Sequence, residues 1–191
     1  MELSVRLYLG LLALVALGRL IELRHSRRNQ QVLFEAGAIR SPEPAYAWMV
    51  ALHTAILLGS AIEVILFQRP FIPWLGVLSL AAFLAANAAR WWVIQTLGTR
   101  WNVQVLSASS LGVITSAGPY RWVRHPNYTA VFVEMLALPL IHSAFFVAVS
   151  GALFHILILH RRVTLEESVL RLDPAWRRAF QDRPRFVPGI L

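Results

Sequence analysis

The chain has 191 residues, 57% of them hydrophobic and only 15% charged, with a formal net charge of +8. That balance is too apolar for an ordinary soluble domain and points to a single-domain membrane protein. The absence of cysteine excludes disulfides, thiolate metal sites and cysteine nucleophiles, and the basic excess is all arginine set beside apolar runs, a sign of membrane topology rather than nucleic-acid binding.

A spanning helix needs about 20 mostly apolar residues. The first such run covers residues 3–23. It lacks a basic leader and a cleavage pattern, so it reads as a retained span rather than a signal peptide. Arg19 and Glu22 sit three apart on one face and are placed to pair. The polar stretch 24–44 follows, closed by the helix-breaking Ser41-Pro42-Glu43-Pro44. A second span is expected over 45–67 and a third over 71–94, ending in Trp91-Trp92, rings suited to the membrane interface. His53, Glu63, Asn87 and Arg90 lie within these two spans, with Glu63 and Arg90 toward opposite ends. Ionisable groups inside a span are functional hypotheses by default.

Residues 95–127 are mixed and too polar to span. The chain is apolar again from Tyr128 to Leu159, broken by Pro139 and His142-Ser143. One straight span needs far fewer residues, so the pattern predicts a helical hairpin of two spans, 128–141 and 144–160, with a short first arm. The last helix continues as a charged extension over 161–172. The tail from Ala175 is basic and prolyl, and is expected to lie on the membrane surface. The fold class is thus an all-α integral membrane protein with about five transmembrane helices, the last two forming a hairpin. Arginines number four in 24–40, three in 100–124 and seven from Arg161 onward, against Arg69 alone in the intervening turn. The positive-inside rule then places these three segments, and the C-terminus, in the cytoplasm.

Two clusters carry chemistry. Gly118-Pro119-Tyr120-Arg121-Trp122-Val123-Arg124-His125-Pro126-Asn127-Tyr128 sets cations and tyrosines at the start of a helix. Flanking arginines alone are ordinary topology signals. A helix N-terminus beside Arg124 and His125, however, is suited to a carboxylate or phosphate, and Tyr120 and Tyr128 add flat faces with hydroxyl donors for an adenine or ribose. In Arg161-Arg162-Val163-Thr164-Leu165-Glu166-Glu167, Arg162 and Glu166 share a helical face; by themselves they read as a surface ion pair of little worth. The hairpin returns this turn to the side of Arg124-His125, which makes a shared cytoplasmic site. His155 reads as a packed, hydrogen-bonded residue. The sequence carries no metal motif, no phosphate-cradling glycine loop and no Ser/His/Asp pattern.

Gly118-Pro119-Tyr120, Arg124-His125-Pro126-Asn127-Tyr128 and Arg162-Val163-x-x-Glu166-Glu167 together resemble the isoprenylcysteine carboxyl methyltransferase family. The first half resembles its bacterial branch associated with type III polyketide synthases, through Arg19-Leu20-Ile21-Glu22-Leu23, Arg28-Asn29, Gly37-Ala38 and Tyr46. Leu111-Gly112 stands where eukaryotic members carry a histidine. The resemblance implies S-adenosylmethionine as methyl donor, with S-adenosylhomocysteine as product, held by Tyr120, Arg124, His125, Pro126, Asn127, Tyr128 and Glu166. It implies Arg162 as the catalytic residue facing a lipophilic acceptor, of alkylpyrone or prenylcysteine type, and a place in the bacterial cytoplasmic membrane. The alternatives are an NADPH-dependent sterol-type reductase, which shares the Arg-His-Pro-Asn-Tyr element, a phospholipid N-methyltransferase, and a non-enzymatic membrane protein.

Overall fold

The computed structural model describes residues 2–107 and 115–189. Leu111 and Gly112, where the departure from the eukaryotic pattern falls, lie outside the described residues. Among the described residues, four helices are long and apolar enough to cross a membrane: α1 (Leu3–Glu35), α2 (Ala45–Leu66), α3 (Pro73–Leu97) and α5 (Phe145–Leu170). Their outward faces carry bare apolar side chains such as Leu7, Leu14, Leu58, Val77, Leu153 and Phe154, a surface suited to lipid rather than water. The protein is an all-helical membrane protein apart from one short strand pair among the described residues.

The fifth expected span is α4, Pro126–Leu140, of 15 residues. At 1.5 Å per residue it covers roughly 22 Å, short of a hydrocarbon core of about 30 Å. Pro139 interrupts its ladder, and the turn that follows places Ser143 at a left-handed φ of 58°. This turn delivers the chain into α5, completing the hairpin read from the sequence. α4 packs mainly on α3 and α5, and α2 packs on α5.

α1 runs twelve residues beyond the span assigned from the sequence. Its polar extension stays helical because one face is buried and bonded: Ser26, Asn29, Gln30 and Leu33 follow helical spacing. Asn29 Nδ2 donates to the Trp101 carbonyl at 2.6 Å, and Ser26 Oγ accepts from the Val103 amide at 3.0 Å. Those bonds hold the segment after α3 against α1. The strand pair β1 (Ile39–Arg40) and β2 (Leu106–Ser107) is antiparallel, with Ile39 opposite Ser107. It ties the first interhelical loop to the same segment.

Charged residues inside the bundle pair through both local and long-range contacts. Glu22 of α1 takes Arg19 at 2.8 Å and Arg90 of α3 at 2.7 Å, and Arg19 also reaches Glu134 of α4 at 2.8 Å. The Arg19–Glu22 pair was legible from spacing; Arg90 and Glu134 join it only through packing. Glu63 pairs with Arg69 at 2.9 Å, and its two oxygens accept the amides of Phe146 and Val147 at 3.1 and 2.9 Å. A carboxylate from α2 thus satisfies the open N-terminus of α5, which has no side-chain cap of its own. Removing one partner of a buried network strands the others at a cost of about 3–5 kcal/mol. Glu22→Ala is therefore expected to lower the melting temperature in detergent by roughly 6–12 °C or more, checked by a thermal unfolding curve; an unshifted midpoint would count against the network.

Candidate active site

The site lies at the end of the bundle where the loops gather. Gly118 opens a short 3-10 turn, Gly118–Arg121, ahead of α4, and a short last helix, α6 (Pro174–Phe180), follows α5. Gly118 adopts φ 55°, and a Cβ there would lie 2.5 Å from Thr96 Oγ1. Only glycine allows this turn to sit against α3 in that conformation. The turn sets Tyr120 over Val93, Ile94 and Trp101 and edge-on to Phe180 of α6. Burial pushes the Tyr120 phenol well above its ordinary pKa, so it stays a hydroxyl donor. Pro126 then starts α4 at the first helical position, where its missing N–H costs nothing.

A cleft of about 830 Å³, counting its open mouth, is bounded by α2, α3, α4, α5 and residues 101–103. Tyr120, Arg124, His125, Asn127, Tyr128, Arg162 and Glu166 all line it. Pro126 is not among the lining residues; it sets the helix start. The two motif clusters meet as the hairpin topology required. Tyr128 donates to Glu166 Oε2 at 2.6 Å, and His125 lies 3.9 Å from Glu166 and 3.1 Å from Glu167.

Several partners differ from those the spacing suggested. Arg162 does not pair with Glu166, four residues on. Its Nε lies 3.0 Å from Glu43 Oε1 of the first loop, Nη2 donates to the Val103 carbonyl at 2.9 Å, and Nη1 donates to Met49 Sδ. Burial raises the Glu43 carboxyl above its ordinary pKa, opposed by Arg162 and the Val105 amide. Arg124 lies 3.3 Å from Glu167. Burial pulls its guanidinium below the usual value, against the attraction of Glu167 and with Arg185 and Arg171 adding to the fall.

The backbone at the start of α4 is also partly taken. The amides of Arg124 and His125 donate to the Pro184 and Arg185 carbonyls, both at 2.9 Å, and Thr129 Oγ1 donates to Phe186 O at 3.0 Å. The tail, expected at the membrane surface, forms α6 and then a strap across this helix start. Arg185 closes the strap on Glu167 at 2.9 Å. Glu167 therefore gathers His125, Arg124, Arg171 and Arg185.

Unsatisfied buried polar atoms remain in the cleft: Asn127 Oδ1, Arg124 Nε and both ring nitrogens of His155. Buried polar groups are normally paired, so these mark where a polar ligand fits. His155 is thus not the hydrogen-bonded residue expected from an apolar face; it stands edge-on to His53, the two rings 6.4 Å apart, and both line the cleft. Sequence reasoning missed Glu43, Met49, Asn102 and Val103. The one available signal was Glu43 itself, an acidic residue between two prolines in a chain with ten acidic residues.

A second, apolar cleft adjoins the first at His53, lined by Val15, Ile56, Leu57, Phe83 and Met135 with Arg19 and Glu134 at its polar end. Comparison with known proteins adds three findings. The family model described as the isoprenylcysteine carboxyl methyltransferase family matches residues 77–172, half of the chain. The chain is 30% identical over 162 residues to the uncharacterized protein YpbQ of Bacillus subtilis, covering 84% of this chain and 95% of that one, and 28% identical over 153 residues to an uncharacterized protein of Haemophilus influenzae, covering 80% and 88%. The fold matches that of the eukaryotic intramembrane Ras methyltransferase ICMT with a TM-score of 0.61 at 23% identity, over 75% of this chain and 53% of that one.

Proposed function

The chain belongs to the isoprenylcysteine carboxyl methyltransferase family, and on that premise we propose that it is an S-adenosylmethionine-dependent O-methyltransferase acting on a lipophilic acceptor. The observation that carries this reading is the convergence of Tyr128–Glu166, His125–Glu167 and Arg162 on one cleft with unsatisfied polar atoms. The residues fit the donor. Its methionine carboxylate has the Arg124 Nε edge and the α4 start, its ammonium and ribose hydroxyls have Glu166 and Asn127 Oδ1, and its adenine has the Tyr120 and Tyr128 faces. The donor supplies a sulfonium-bound methyl carbon open to attack by an electron-rich oxygen.

The protein supplies position and charge, which carry most of the rate in such a transfer. Arg162 holds the acceptor oxygen in its oxyanion form. Val131, Ile158, Leu159 and Trp101 wall the cleft and exclude water, which strengthens that interaction. The adjoining apolar cleft gives the acceptor's tail a place next to the head. Both the cytoplasmic orientation drawn from the arginine count and the bacterial cytoplasmic membrane belong to this proposal.

Incubation of purified protein with methyl-labelled donor and a membrane lipid extract tests the reading directly, labelled lipid being the expected product. Binding of NADPH without S-adenosylhomocysteine would instead favour the reductase. A charge-assisted hydrogen bond is worth about 1.5–3 kcal/mol, so Glu166→Ala is expected to weaken S-adenosylhomocysteine binding about tenfold or more. Native affinity in a calorimetric titration would remove Glu166 from donor binding.

A further inference from the structure

The family match begins at residue 77, so it is silent on the first interhelical loop. That loop nevertheless reaches the acceptor-holding arginine. The Glu43 side chain is 4% exposed and that of Arg162 is 6% exposed, with 3.0 Å between Oε1 and Nε. Neither atom has an aligned hydrogen bond, so the contact is one of charges. Glu43 Oε2 accepts from the Val105 amide at 3.1 Å, and the Ser41 amide donates to the Val105 carbonyl at 3.1 Å. With the Ile39–Ser107 pairing, these bonds fix the loop on the segment that also supplies Val103 O to Arg162. A carboxylate buried beside one cation must offset a large desolvation cost, and a salt bridge built only for stability gains little by it.

We propose that Glu43 is a positioning residue for acceptor binding: it aims the Arg162 guanidinium into the cleft and balances its charge until an oxyanionic acceptor arrives. The acceptor role of Arg162 rests on the methyltransferase reading. Because Glu43 already neutralises the guanidinium, a small anion gains little there, and the site favours an amphiphile whose apolar tail adds binding energy in the neighbouring cleft. Removing the Glu43 charge while keeping its shape takes away the carboxylate in contact with Arg162 and leaves only the weaker pull of Glu166. The site then binds anions more tightly and holds them less well for transfer.

The test uses the full chain in detergent micelles, with benzoate as a soluble carboxylate probe and S-adenosylhomocysteine as the donor-site probe. Glu43→Gln is expected to bind benzoate at least threefold more tightly than wild type, bind S-adenosylhomocysteine within twofold of wild type, and methylate a membrane lipid extract at least tenfold more slowly. Arg162→Ala and the double variant are expected to lose benzoate binding equally. Unchanged or weaker benzoate binding in Glu43→Gln, or wild-type turnover, overturns the proposal while leaving the methyltransferase reading intact. The reverse failure is separable: wild type that binds neither donor product nor makes labelled lipid, yet shows the benzoate pattern, overturns the methyltransferase reading and supports the pairing. If Glu43→Gln does not fold, Glu43→Asp keeps the charge and withdraws the carboxylate. It is then expected to hold benzoate within twofold of wild type with turnover reduced at least threefold, and native turnover overturns the proposal.

Discussion

Arg162→Ala is expected to lower kcat for lipid methylation by about a hundredfold or more, the cost of removing one preorganised oxyanion donor, with S-adenosylhomocysteine affinity within about twofold of wild type. The split follows from geometry. The guanidinium is held by Glu43, Val103 and Met49 and meets the Tyr128–Glu166 pair only through the Tyr128 ring, 5.7 Å from its centroid, while Tyr128 keeps its own bond to Glu166 at 2.6 Å. Single-turnover kinetics beside a donor-product titration checks it, and equal loss in both would mean that the residue supports the whole cleft. Arg162→Lys is expected to recover only a small part of the rate, since a lysine keeps the charge but not the planar fork that meets Glu43 and Val103 together.

Glu167→Ala carries the other large effect. The buried partners His125 and Arg124 lose their anion, and the strap at Arg185 loses its anchor. Arg171 and Arg185 are half exposed, so their share is small; the cost comes from stranding the buried pair, about 3 kcal/mol. That corresponds to a melting point lowered by roughly 6–12 °C, and donor-product affinity is expected to fall more than tenfold as the start of α4 loosens. Limited proteolysis should then cut first near residues 183–187. A variant that melts and binds like wild type would show that the four cations are held by other means.

Much of this was readable along the chain. Apolar runs of spanning length located α1, α2, α3 and α5, and Pro139 with His142-Ser143 announced the turn between α4 and α5. Gly118-Pro119-Tyr120 and Arg124-His125-Pro126-Asn127-Tyr128 marked residues that line the cleft or set its helix start. The extension of α1 was not readable, because its polar residues look like a loop until Trp101 and Val103 arrive to accept and donate their bonds. Nor was the tail's role, because Pro184 and Arg185 meet the start of α4 through backbone carbonyls, which leave no mark in residue identity, and the Arg185 side chain finds Glu167 only after that docking.

The sequence alone determined that this is a membrane protein, where its long apolar helices lie, and which two clusters the hairpin brings together. Those properties depend on local hydrophobicity and on helical spacing, both written into neighbouring residues. Only the tertiary structure decided which charge meets which: Arg162 with Glu43 rather than Glu166, Arg90 with Glu22, and Glu167 with the tail. In a medium that penalises every unpaired ion, partners are chosen by distance after packing, and residues far apart in the chain compete for them on equal terms.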